Sequence, residues 1–298
     1  MKAKSIIVPV LVGILMAFTV VPMMAYADSY DLTVGSEMVT SDNAFDILGN
    51  GTVSYTAANK KLTLNNATIT GGINSINIKS NISDLTIEVN GENKLIDGDI
   101  GILSSQRLTI TGNGSLQVDS SNQCIGAFDA MTIKKTTVTA TGGMFGIKST
   151  NSVMITDSTV TAKATGDTGS GILANGLDIS GNSTVHAYGK TFAINGGNEI
   201  TIGKGLGLTK PKGGLIVGGH IYGEEGSAIS VTIEKLTEMN GDGTEDSPYE
   251  ITSYAELKVF AEIVNGKEGQ AADPDACGKL MKDIICTDKK WTPINNVD

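Results

Sequence analysis

Between Leu62 and Ile202, apolar and polar residues alternate in short runs, and the runs recur. Apolar-x-apolar openings stand at Leu62-Thr-Leu64, Leu85-Thr-Ile87, Leu108-Thr-Ile110, Met131-Thr-Ile133, Val153-Met-Ile155, Leu177-Asp-Ile179 and Ile200-Thr-Ile202, at successive offsets of 23, 23, 23, 22, 24 and 23 residues. Within each run the period is two, the signature of a half-buried strand and not of a helix. Three such runs fall in each repeat. Around the fourth they are Met131/Ile133, Val138/Ala140 and Phe145/Ile147, and Gly, Asn and Asp fill the corners between them. These residue types accept the positive φ that tight corners need. A strand-rich unit of about 23 residues, repeated in tandem, predicts an all-β solenoid. Three short strands per coil make it a parallel β-helix, a rod on the order of 35 Å long whose equivalent side chains pile into inward columns. One coil cannot bury its own apolar face, which is why the unit repeats.

The same register places Phe145 and Phe192 in an inward column with Ile100 and Ile125, as core residues. Tyr30 to Gly51 precedes the first clear coil and reads as its cap; beyond Leu208 the pattern loosens and ends near Ile233. After residue 240 the grammar changes. Tyr249 to Ile251 reads as a strand, and Ser253 with Glu256 forms a capping box. Leu257, Phe260, Ala261 and Val264 follow at helical spacing, and Asn265-Gly266 closes the helix. The organisation predicted is a leader at residues 1–27, a β-helix domain at 28–239 and a small α+β segment at 240–298.

The leader is read from Lys2 and Lys4, the apolar run Ile6 to Val21 and the small-x-small triplet Ala25-Tyr26-Ala27. Together they predict a cleaved signal peptide, and so a secreted or surface protein with no membrane span in the mature chain. Pro9 and Pro22 and the shortness of the run argue against an anchor. Without the two leader lysines, 20 basic residues face 32 acidic ones, a net charge near −12. That balance repels phosphate backbones and disfavours a nucleic-acid partner. Three cysteines do not make a disulfide framework. Cys277 and Cys286 are a candidate pair, whereas the apolar surroundings of Cys124 predict burial.

Catalytic groups are scarce. Arg107 is the only arginine, and it precedes Leu108 at a coil corner as a solvated charge. His186 and His220 are far apart in sequence and lack a partner at metal-ligand spacing. Gly203-Lys-Gly205-Leu-Gly207 lacks the spacing of a phosphate loop and reads as a corner. Aligning coils on Leu95, Leu116, Val138 and Val160 brings Asp97, Asp99, Asp119 and Asp167 toward one edge of the rod, where carboxylates suit Ca²⁺. Tyr188 and Tyr222 are the aromatic candidates for a sugar contact, and the outward Thr rows offer hydroxyls instead.

The segment YDLTVGSEMVTSDNAFDILGNGTVSYTAANKKLTLNNATITGG (Tyr30 to Gly72), with the coils that follow it to about Leu208, resembles the carbohydrate-binding-domain-containing surface proteins of Gram-positive bacteria. The resemblance implies a right-handed parallel β-helix similar in fold to pectate lyases. It also implies an extracellular, polysaccharide-binding, non-catalytic protein, with calcium bound in some members. The stretch GDGTEDSPYEITSYAELKVFAEIVN resembles the opening of repeat modules in bacterial surface proteins, and Trp291-Thr-Pro-Ile294 matches their following turn except that Asn295 stands where Gly is expected. The expectation is a β-helix that binds polysaccharide or cell-wall glycan, followed by a truncated second module. Two other readings stay open: a structural spacer in a larger surface protein, and a polysaccharide lyase or hydrolase.

Overall fold

The structure is a computed structural model that describes residues 27–211, 214–236, 239–266, 271–284 and 294. It is a β-solenoid of about six turns with one short helix. The first face stacks Lys61–Asn65, Leu85–Asn90, Leu108–Thr111, Met131–Lys134, Ser152–Thr156, Gly176–Ser180 and Glu199–Ile202 as parallel neighbours. The second face includes Thr68–Thr70, Thr137–Gly142, Thr159–Ala164 and Thr184–Tyr188; the third includes Ile76–Ser80, Phe145–Ser149, Ser170–Leu173 and Phe192–Asn195. In two successive coils the second and third strands fuse into single 13-residue strands, Glu92–Ser104 and Ser115–Ala127.

Inward columns follow the ladder. Ile87, Ile110, Ile133, Ile155, Ile179 and Ile202 stack on the first face, and Ile78, Ile102, Ile125, Ile147, Ile172 and Ile194 on the third; none is more than 1% exposed. Five of the six expected offsets are those of the ladder. The first is not: Leu62 pairs with Ile87 and Leu64 with Val89, an offset of 25. Likewise Leu95 pairs with Val118, not with Leu116. Both errors are slips of two, which leave every side chain on its own face and so are invisible to an alternating pattern.

Phe145 and Phe192 are not core. They share a register row with Gln123 and Ser170 and stand half-buried at the start of the third face. The inward place beside them belongs to Gly146, Gly171 and Ala193, where the second and third faces close on each other. A Cβ on Gly171 would lie 2.6 Å from the Ala162 carbonyl and 2.7 Å from that of Ala193, so only a minimal residue fits. Two coils earlier the equivalent Cys124 is fully buried, as expected, with its Sγ 3.2 Å from the Val118 carbonyl.

Antiparallel strands cover the rod at both ends. Val53–Thr56 and Ser29–Val34 lie on the first and third faces of the first coil. At the far end Ser230–Lys235 inserts between Thr184–Tyr188 and Leu206–Lys210, and His220–Gly223 meets Asn195. The loosened pattern after Leu208 is therefore a cap and not a frayed coil. Parallel edges left open would offer unpaired backbone groups to other chains.

Beyond the rod, Tyr249–Ile251 pairs in parallel with Gly278–Leu280, and the helix Tyr254–Asn265 follows with Ser253 as its N-cap. The Ser253 Oγ accepts from the Glu256 N–H at 3.2 Å; the Glu256 carboxylate reaches back to Thr252, one residue before the expected cap partner. Tyr249, Ile251, Phe260, Ile263 and Val264 form a small core joined by Leu236 and Met239. The segment is tied to the last coil by the Lys204 Nζ, 2.7 Å from the buried Asp273 carboxylate, and by the Ala271 N–H, which donates to the Ile202 carbonyl at 3.2 Å. The leader, Cys286 and Trp291-Thr-Pro293 lie outside the described residues. Among the described residues no helix is long and apolar enough to cross a membrane.

The column architecture predicts a sharp contrast between faces of one strand. Replacing the fully buried Ile133 by Ala should cost about 2–5 kcal/mol. Replacing its outward neighbour Thr132 by Ala should change stability by less than about 0.5 kcal/mol. Urea unfolding of the two variants checks both.

Candidate functional site

The bend between the second and third faces carries a groove of about 830 Å³, lined by Ser75, Asp97, Asp99, Asp119, Thr141 and Thr165 among others. Two compensating irregularities in the fused strands create it. From Leu95 to Gly98 the chain spends one residue more than from Val118 to Ser120, and from Ser120 to Gln123 one more than from Gly98 to Ile100. Asp97 is an extra residue at the first bulge, held at φ 58°. Bulges bend a strand and re-aim its side chains, and here they turn three carboxylates toward one opening. The Asp99 carboxylate accepts from the Ser121 hydroxyl and that of Asp119 from the Gln117 amide, each at 2.6 Å.

Asp167 stands apart. It belongs to the same corner two coils on, but it does not line the groove, and its carboxylate lies 2.5 Å from the Lys190 ammonium of the next coil. The hydrogen bond from Lys190, and then its charge, hold Asp167 below the usual carboxylate range. Among the described residues no three Asp, Glu, His or Cys side chains gather closely enough to hold a metal ion. Two of the three groove carboxylates are engaged by neutral donors.

Register joins the groove to one of the two tyrosines. Asp119 pairs with Thr141, Thr141 with Lys163, Lys163 with Tyr188 and Tyr188 with Ser230, all in one outward row. From Asp119 to Tyr188 this row runs roughly 14 Å, three ladder steps. The Lys163 ammonium sits 5.7 Å from the Tyr188 ring centroid, a cation–π contact that fixes both. A parallel row of Gln117, Thr139, Thr161 and His186 lies beside it on the same face, and the His186 imidazole is 3.2 Å from the Thr232 hydroxyl. The result is a polar, ridged strip of hydroxyl, amide and amine groups ending in a ring, with an acidic groove at its other end.

Tyr222 is elsewhere. It sits in the hairpin of the far cap, 37% exposed, with its ring centroid 6.4 Å from that of His220. Arg107, at a corner, is paired with Asp84 of the preceding coil at 2.6 Å, and both are mostly exposed. That hydrogen bond raises the guanidinium pKa further. Gly203 to Gly205 is the corner between Glu199–Ile202 and Leu206–Lys210, while Leu206 and Gly207, expected in the corner, open the second of these strands.

The family model that matches the chain describes a carbohydrate-binding domain-containing protein and spans residues 34–221. No curated protein and no solved structure matches the chain.

Among the described residues the thiol near the bend is that of Cys124, whose burial pushes its pKa up to about 12. The thiolate is the reactive form, so at pH 8 Cys124 should resist alkylation in the folded protein and react fully only after unfolding. Mass spectrometry of its peptide after iodoacetamide treatment, with and without denaturant, reads this directly.

Proposed function

Because the chain belongs to the carbohydrate-binding domain-containing protein family, we propose that it is an exported protein that binds a polysaccharide along one edge of its rod without transforming it. The observation that carries this reading is the outward row Asp119, Thr141, Lys163 and Tyr188, which leads from the groove to an aromatic ring. A sugar polymer presents hydroxyls at a regular interval, and a parallel ladder repeats donors and acceptors at about 4.8 Å. Tyr188 offers an amphipathic ring of the kind that suits a half-wet contact. Lys163 can donate to ring or hydroxyl oxygens while keeping its place over Tyr188. The non-catalytic reading is supported by Arg107, which is engaged by Asp84 at another corner.

The test is retention of the protein on insoluble cellulose, pectin and peptidoglycan, with and without EDTA. We expect retention on at least one of them, unchanged by EDTA, and about tenfold weaker for the Lys163→Ala/Tyr188→Ala double variant. Retention that EDTA abolishes assigns the contact to calcium at Asp97, Asp99 and Asp119. No retention on any of these materials removes the binding reading in favour of a spacer.

A further inference from the structure

The half-buried Phe192 does not end in solvent. Its ring centroid lies 4.9 Å from that of His220 at a tilt of 57°, and His220 in turn is followed by Tyr222 at 6.4 Å and 43°. Phe192 comes from the third face of the rod, whereas His220 and Tyr222 come from the capping hairpin, brought together by the pairing of Asn195 with His220. The hairpin has two distinct sides. Ile216 and Ile221 point inward and are at most 6% exposed; Leu215, Val217 and Tyr222 are 62%, 49% and 37% exposed. Leu215 faces Tyr222 and Val217 faces His220 across the hairpin, so all four share the outward side.

From this geometry we propose that Phe192, His220 and Tyr222 form a second carbohydrate subsite, separate from the row that ends at Tyr188. The proposal rests on the carbohydrate-binding reading and adds a place and a chemistry to it. The occupant is a neutral pyranose ring of a polysaccharide. Such a ring has a face of C–H bonds and a rim of hydroxyls, and it matches a surface that is aromatic in the middle and hydrogen-bonding at its edge. Each ring is tilted to its neighbour, so the surface they make is not flat and suits a puckered sugar. His220 supplies the polar edge. Its Nδ1 lies 3.0 Å from the Gly218 carbonyl, which can only accept, so Nδ1 carries the proton and the neutral ring keeps Nε2 as an acceptor for a sugar hydroxyl. The Tyr222 hydroxyl adds a donor and an acceptor. Phe145 is not part of the site: the Lys148 ammonium covers its ring at 4.7 Å.

The subsite is tested by affinity electrophoresis of the full protein through gels containing hydroxyethyl cellulose, xylan, glycol chitosan or polygalacturonate. The variants are Tyr222→Ala and Phe192→Leu, the latter keeping apolar volume while removing the ring, with Tyr188→Ala for comparison. The expected result is that Tyr222→Ala and Phe192→Leu each weaken retardation by a neutral glycan about tenfold while the unfolding midpoint stays at the wild-type value. Retardation of both variants equal to wild type, with loss only in Tyr188→Ala, overturns the subsite and leaves the carbohydrate-binding reading intact. Failure of the wild type to be retarded by any of the four overturns the subsite, and together with no retention on cellulose, pectin and peptidoglycan it overturns the carbohydrate-binding reading as well. Concentration-dependent dimers in light scattering that Tyr222→Ala abolishes would reassign these rings to contact with a second copy.

Discussion

The rod depends on one constraint, the register of a parallel ladder in which each paired strand residue lies directly above its counterpart in the coil below. Once Met131 is placed over Leu108 and under Val153, the rest of that strand is fixed, because the backbone hydrogen bonds allow no intermediate stagger. Burial then follows in columns, with Ile110, Ile133 and Ile155 shielding one another from water. The alternation that makes this possible also makes it exacting in one direction. A slip of one residue would expose every isoleucine of a strand, while a slip of two would bury a different set equally well. What selects between registers two apart is therefore the corners, where Gly112 at φ 127° has no room for a side chain against the Val89 backbone.

That same register dictates what the outside can be. Outward side chains also stand in rows, so a surface feature is either repeated along the rod or made by a departure from the repeat. Thr139 and Thr161 illustrate the first case, one hydroxyl repeated from coil to coil. Asp97 illustrates the second, being a single bulged residue with no counterpart in the coil above. Both kinds suit a polymer ligand, the rows by matching its repeat and the departures by fixing where along the rod it starts.

The architecture was legible in the sequence because the repeat is a property of many residues at once. Seven apolar-x-apolar openings outweigh any single ambiguous position, and the capped helix at Tyr254–Asn265 announced itself through Ser253 and Gly266. The site was less legible, for reasons that lie in particular residues. The slip of two at Leu95 moved the expected alignment of Asp97 and Asp99 against Asp119, and only the two bulges restored their proximity. Asp167 looked equivalent by its corner, but Lys190 stands one coil above it and engages it. Phe145 and Phe192 were expected inside because they were aligned with both Ile100 and Ile125, but Ile125 belongs to the inward row of Ile102 and Ile147, whereas Ile100 shares the half-buried row of Gln123 and Phe145. Their true place is set by Gly146 and by Gly171 and Ala193, whose small side chains let the second and third faces close and push the rings outward.

The far cap brings these strands of argument together. A solenoid must end, and an end must satisfy the backbone groups of its last coil. Here the solution is antiparallel, with Ser230–Lys235 inserted beside Thr184–Tyr188 and the hairpin containing His220 laid against Asn195. Reversal of direction breaks the row rule, since side chains of the cap need not continue the rows beneath them. Tyr188 is followed in its row by Ser230, yet Phe192 is met by His220, and His220 by Tyr222, both from the capping hairpin. The cap can thus hold a combination of side chains that no repetition of one unit could assemble, while its inward Ile216 and Ile221 continue the core. Sealing the rod and diversifying its surface are consequences of the same change of strand direction, and this is why the aromatic groups concentrate where the repeat stops.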